Sequence, residues 1–402
     1  SSKYLYSLIN SGNFNKAFNY AKKLEKDKKD NFESNLVIGV YFLKYSKFDL
    51  SKKYFLKAKN KQSRSILENY LSDSLYLSSN LTNYELGKSI NYLENFDKRF
   101  ENLNKIQKVF LNCYYSSSNT ENLYKDLVSD KKTDFSRYNY FYARYLDSIG
   151  ENIKSKQIVD NALKSYPRNL LLNTYKFDQN SLKNNFSFDC KNENHVSSEI
   201  IYIVANALSS QNIYSASNFY LNLAKYLNKD FLSYETLLAE NFYKIENFKI
   251  AKKIYKKLSK FGEAFNWYSS KQLARILIKE EKQNEALNLL NIGSKASAAP
   301  EVKKDFLPVT NRIFLASLFS RILISFEIEP KPEIIRWDIY LSLWIHFIKA
   351  ILFWIGVVVG LPIFDLWPER TKISMKEEVL FNWAFVIIFL RFSSSLTVSE
   401  NL

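Results

Sequence analysis

Apolar positions along the first three-quarters of the chain fall into pairs of short stripes. Each stripe has helical spacing, and a polar turn separates the members of a pair. Leu238, Ala239 and Phe242 lie at i, i+1 and i+4, and Phe248, Ala251, Tyr255 and Leu258 at i, i+3, i+7 and i+10. Each set predicts one apolar face of a helix, with a turn over 244–247. The same frame fits Ile203, Val204 and Ala207 followed by Ile213, Ala216, Tyr220 and Leu223, and Leu273, Ala274 and Leu277 followed by Ala286 and Leu290. Ala216, Ala251 and Ala286 stand 35 residues apart. Further copies run Ile38, Gly39, Phe42, Phe48, Ser51, Phe55, Ala58, and earlier Leu5, Leu8, Gly12, Phe14, Ala17, Ala21, Leu24. A sixth runs Tyr142, Ala143, Leu146, Gly150, Ile153, Ser155, Val159, Ala162 and ends at Pro167. The small residues belong where two helix backbones come close. Gly12 and Gly150 suit a left-handed turn, and Pro167 suits the position just past a helix end. A fixed period of this length predicts an all-α solenoid of stacked antiparallel helical hairpins, each burying its apolar face against its neighbours.

The frame resembles the tetratricopeptide repeat (TPR) family over roughly residues 1–293. Gly39, Phe42, Phe55 and Ala58 match its pattern in the second repeat, and Gly150, Ala162 and Pro167 in a later one, although the family's opening Trp is missing throughout. The resemblance implies a TPR-like α-solenoid in which the first helix of each hairpin lines a concave groove that binds peptide or protein segments. The outward positions of those helices are then the candidate groove contacts. They are Leu36, Val40, Leu43 and Lys44 in the second repeat, Thr236, Glu240, Tyr243 and Lys244 around Ala251, and Lys271, Arg275, Ile278 and Lys279 around Ala286. Lys271 and Arg275 are one turn apart and suit a peptide carboxylate or another acidic group. The family's carboxylate clamp pairs Lys with Asn at these places. Arg275 departs from it, so that specificity is not carried over.

The repeats predict an N-terminal block over 1–167, degenerate over 61–135, an irregular connector over 168–199, and a second block over 200–293. The pattern then stops. Five of the six Trp follow, at Trp337, Trp344, Trp354, Trp367 and Trp383. Residues 339–364 are almost wholly apolar, broken by His346 and Lys349. A bilayer span takes roughly 20 residues, and Trp337 and Trp367 flank this segment as interfacial anchors would. Residues 294–402 therefore read as an apolar helical tail with a membrane anchor at 339–364. Competing readings are a soluble cap on the last repeat, which Lys349 favours, and a tail that does not continue the repeat domain naturally. The chain begins Ser-Ser and holds a single Met, Met375, which reads as a processed or truncated product.

Charge and chemistry narrow the function. The first 293 residues carry 45 basic and 30 acidic residues, net +15, against 12 and 11 in the remainder. Only six of those 45 are Arg. Readers of nucleic acid lean on Arg, so the charge reads as compositional and nucleic acid is an unlikely partner. Cys113 and Cys190 make no disulfide framework and leave the redox compartment open. Cys190 and His195 offer two of the four ligands that a structural zinc site takes and read as part of a solvated loop. Phosphate-loop glycines, a nucleophile with its base, a metal set and a cofactor motif are all missing from the sequence. The expectation is a non-enzymatic scaffold that binds peptide or protein segments, membrane-associated or else cytoplasmic or periplasmic. The alternatives are an RNA-binding helical-repeat protein and an accessory subunit of a membrane or envelope complex.

Overall fold

The computed structural model describes residues 2–61, 65–177 and 188–295, all within one compact unit. The tail, with its proposed anchor at 339–364, lies outside the described residues. Among the described residues every regular element is helical. The N-terminal run comprises α1 (Ser2–Asn10), α2 (Phe14–Lys26), α3 (Phe32–Lys44), α4 (Phe48–Asn60), α5 (Ile66–Ser78), α6 (Leu86–Glu94), α7 (Glu101–Tyr114), α8 (Thr120–Ser129), α9 (Tyr138–Ser148), α10 (Asn152–Ser165) and α11 (Leu170–Phe177). The C-terminal run comprises α12 (Glu193–Ser210), α13 (Tyr214–Leu227), α14 (Ser233–Lys244), α15 (Phe248–Leu258), α16 (Glu263–Lys279) and α17 (Gln283–Lys295). Consecutive helices pack as antiparallel hairpins, giving a TPR-like helical repeat.

One turn recurs. The left-handed residue is Gly12, Ser46, Gly150, Asn212, Glu246 or Glu281, with φ between 54° and 85°. In each case the amide after it reaches back six residues inclusive, as in Asn13 N–H to the Leu8 carbonyl and Asn247 N–H to the Phe242 carbonyl. The pair of backbone bonds closes the first helix and starts the second. Only two of these six positions are glycine, which is why glycine alone could not locate the turns in the sequence.

Five residues past each left-handed residue, a small side chain meets the preceding helix. Ala17, Ser51, Ser155, Ser217, Ala251 and Ala286 are all fully buried. Ser51 Oγ donates to the Gly39 carbonyl at 3.0 Å and Ser217 Oγ to the Ala205 carbonyl at 2.7 Å. This corrects the frame expected at Ala216 by one residue. Ala216 is half-buried and Ile213 is exposed, while Ala205 and Ser217 form the crossing. The serine hydroxyl fits a tight crossing because the carbonyl opposite satisfies it.

The two runs do not form one open curve. α13 packs on α1 and α3, α12 on α5, and α16 on α11. Tyr6 stacks on Phe219 at 4.3 Å and Phe14 on Tyr226 at 4.1 Å. Phe141 of α9 lies 5.8 Å from Phe231, just before α14. Tyr114 of α7 donates to Glu193 of α12 at 2.6 Å, and next to it Cys113 is disulfide-bonded to Cys190. Two cysteines make no framework of disulfides, but hairpin stacking brings this one pair, 77 residues apart in sequence, together. The first helices of the N-terminal hairpins, α1, α3, α5, α7, α9 and α11, all meet the C-terminal run. Their inner face is filled by the chain itself.

Burial follows this arrangement. Residues 36–40 of α3, 196–201 of α12 and 217–224 of α13 are buried without a break. An amphipathic helix buries one stripe, so unbroken burial means neighbours on every side. Just before α9, Arg137 pairs bidentately with the fully buried Glu199 of α12 at 2.7 and 2.9 Å and donates to Ser233 of α14 at 2.6 Å. Its guanidinium lies 4.0 Å from the Tyr202 ring. α11, well formed, and α12, which begins at Glu193, divide the span expected to be an irregular connector.

Candidate interaction surface

The candidate groove residues separate into two groups. Leu36, Val40 and Leu43 sit in the core, at most 1% exposed. They line no open groove, because α13 packs against α3. Lys44 follows them inward: its Nζ donates to the Leu227 carbonyl at the end of α13, 3.0 Å away. A lysine there complements the negative end of the helix. Burial, with Lys229 nearby, lowers the Lys44 pKa, while Asp230 opposes that shift. The signal in the sequence was the unbroken apolar run Leu-Val-Ile-Gly-Val-Tyr-Phe-Leu over 36–43, which marks a helix enclosed on all sides rather than one face of a groove.

The residues on α14 and α16 lie together. Arg275 stands 4.9 Å and Lys279 5.5 Å from the Tyr243 ring centre, both within cation–π range of it. Lys279 also lies 3.2 Å from Glu246 in the turn. Lys271 lies 5.4 Å from the Trp267 ring. Tyr243 is half-buried, and Lys244, Arg275 and Lys279 are exposed. At the base, Glu240 accepts from Tyr268 Oη at 2.5 Å. Burial raises the Glu240 pKa, against the opposing pull of the Tyr268 hydrogen bond and of Arg275 and Lys244. Thr236 Oγ1 donates to the Ser233 carbonyl one turn back on the same helix, 2.7 Å away. Trp267 is itself buried in the core, and Tyr268, which the sequence did not single out, serves this surface only through its bond to Glu240. The surface is cationic and aromatic with one recessed carboxylate, an arrangement suited to an extended acidic segment with an aromatic or a hydroxyl group.

The Cys190 and His195 pair is no ligand set. Cys190 is in the disulfide, and His195 Nδ1 accepts the Asp189 N–H at 3.0 Å. Among the described residues no group of three or more His, Cys, Asp or Glu is placed to hold a metal ion, and no helix is long and apolar enough to cross a membrane.

No protein-family model matches the sequence, and no curated protein matches it. Among solved structures the chain is similar to yeast Tom70, at 16% identity and a TM-score of 0.27, over 68% of this chain and 61% of that one. It is also similar to a tetratricopeptide repeat protein from Parabacteroides merdae ATCC 43184, at 10% identity and a TM-score of 0.27, over 69% of this chain and 98% of that one. The chain thus spans less than two-thirds of the Tom70 chain it matches. The hairpins, their shared turn and their small-residue crossings carry the TPR-like reading.

Proposed function

We propose that this protein is a non-enzymatic interaction scaffold that holds an acidic segment of a partner protein on the surface shared by α14 and α16. The observation that carries the reading is the Tyr243 ring within cation–π range of both Arg275 and Lys279, with Lys244 next to it in the chain. The inner face of the N-terminal run is occupied by the chain itself, which supports capture at this end of the C-terminal run. Exposed cations around a half-buried ring give a peptide both steering charge and an apolar anchor.

The test is direct. A fluorescein-labelled peptide rich in Glu and Asp with one central Tyr is titrated with the full chain, and its anisotropy is followed. The double change Lys271→Glu with Arg275→Glu should weaken binding by about a hundredfold, two charge-assisted contacts at roughly 1.5 kcal/mol each, with helicity intact. Unchanged binding would remove the assignment.

The apolar, Trp-flanked segment 339–364 supports tethering of this scaffold to a membrane. The Cys113–Cys190 bond supports an oxidising compartment, where disulfides persist.

A further inference from the structure

A second charged surface lies on the other helix of the same hairpin. α15 reads Phe-Lys-Ile-Ala-Lys-Lys-Ile-Tyr-Lys-Lys-Leu and buries Ala251, Tyr255 and Leu258. Its opposite side carries Lys249, Lys253 and Lys256, with Lys260 just past its end, all exposed. They stand at i, i+4, i+7 and i+11, a column roughly 16 Å long at 1.5 Å per residue. The nearby carboxylates are engaged with other lysines. Glu280 takes Lys252 at 2.6 Å, and Glu235 takes Lys225 and Lys257 at 2.7 Å each. Among the described residues none of the four column lysines is in an ion pair. Lys249, Lys252, Lys253 and Lys256 with Glu280 also line a recess of ≈ 440 Å³. Amid these lysines Ile250 is 38% exposed, and Ile245 in the preceding turn 48%.

We propose that this face docks on an anionic lipid bilayer. The lysine column supplies the charge complementarity, and Ile245 and Ile250 supply apolar side chains that enter the headgroup boundary. Lysine is a flexible, strongly hydrated point charge, suited to a diffuse layer of phosphates. A single-stranded nucleic acid would call for arginine and for exposed aromatic rings on which bases stack. This face has neither: Tyr255 is fully buried and the basic residues are all Lys. The inference does not use the tail, and it places the bilayer on a different helix from the peptide surface on α14 and α16.

The test is co-sedimentation of the full chain with vesicles of phosphatidylcholine alone and of phosphatidylcholine mixed with phosphatidylserine. The readout is the ratio of the two partition coefficients, because an apolar tail would bind both. Each lysine near an anionic surface contributes roughly fivefold, so Lys249→Gln, Lys253→Gln and Lys256→Gln together should cut the ratio by about a hundredfold. These positions are exposed, so the fold and the acidic-peptide binding should be unchanged. A separate Ile250→Ser variant should lower binding to the mixed vesicles, while any binding of a single-stranded RNA oligonucleotide stays as it was. The proposal is overturned if the triple variant keeps the wild-type ratio, if the wild type shows no preference for the mixed vesicles, or if Ile250→Ser has no effect.

Discussion

At the scale of single residues, His195 shows how the two runs are joined. Its Nδ1 accepts the Asp189 amide beside the Cys190 link, a bond that only the neutral ring can accept. Burial lowers its pKa, with Lys44 acting in the same direction and Asp189 and Asp230 opposing. In the unfolded chain the ring takes up a proton near its ordinary value of about 6.5. As pH falls below that value the unfolded state binds the proton first, so stability declines until the lowered folded value is passed. The expected result is a midpoint of urea unfolding that falls on acidification from neutral pH. A His195→Asn variant, whose Oδ1 can accept the same amide, should show a flatter dependence. Parallel pH profiles for the two proteins would show that His195 is not the group responsible. This role was not legible in the sequence, because the partner amide is local while Lys44, which faces the ring, is remote in the chain. Ser217 was hidden for a different reason. A small hydroxyl residue can replace alanine at a crossing when a carbonyl faces it, and the period alone then points to Ala216, one position away.

At the scale of elements, the hairpin is the part most legible in sequence. The stripes around Ala251 and Ala286 place their helices, since these depend on contacts within one hairpin. At Gly39 α3 crosses α4 closely. A methyl group added at Gly39 would lie 2.5 Å from the Phe55 ring, and Phe55 is itself fully buried. Gly39→Ala must therefore push the two helices apart or turn the ring. Overpacking of this kind costs about 1–3 kcal/mol, against a gain of roughly 0.5–1 kcal/mol from replacing glycine inside a helix. The net effect should be a loss of stability in chemical denaturation, and a Gly39→Ala protein as stable as the wild type would contradict the packing. What the elements did not reveal was what covers α3. Its run of apolar residues means enclosure, yet the enclosing helix, α13, lies far along the chain.

At the scale of the whole molecule, the described residues form two runs of hairpins, the second packed along the inner face of the first. Four kinds of contact fix this arrangement: stacked rings between α1 and α13, the Lys44 contact with the end of α13, the Cys113–Cys190 bond, and the buried Arg137–Glu199 pair. Removing either member of a buried ion pair costs about 3–5 kcal/mol because the other is left charged and unpaired, so the join is specific as well as apolar. Periodicity could not predict it, since a repeat pattern encodes neighbours and not closure. The consequence for the proposed function is that the apolar positions of α3 are covered, while Lys244, Arg275 and Lys279 on α14 and α16 are exposed. Amine-reactive cross-linking of the chain at low concentration followed by peptide mass spectrometry tests this most directly. Lys44 is bonded to the Leu227 carbonyl, two residues before Lys229. The account predicts an intrachain link between Lys44 and Lys229 at low protein concentration. An open solenoid, with links confined to adjacent hairpins and none between these two lysines, would contradict it.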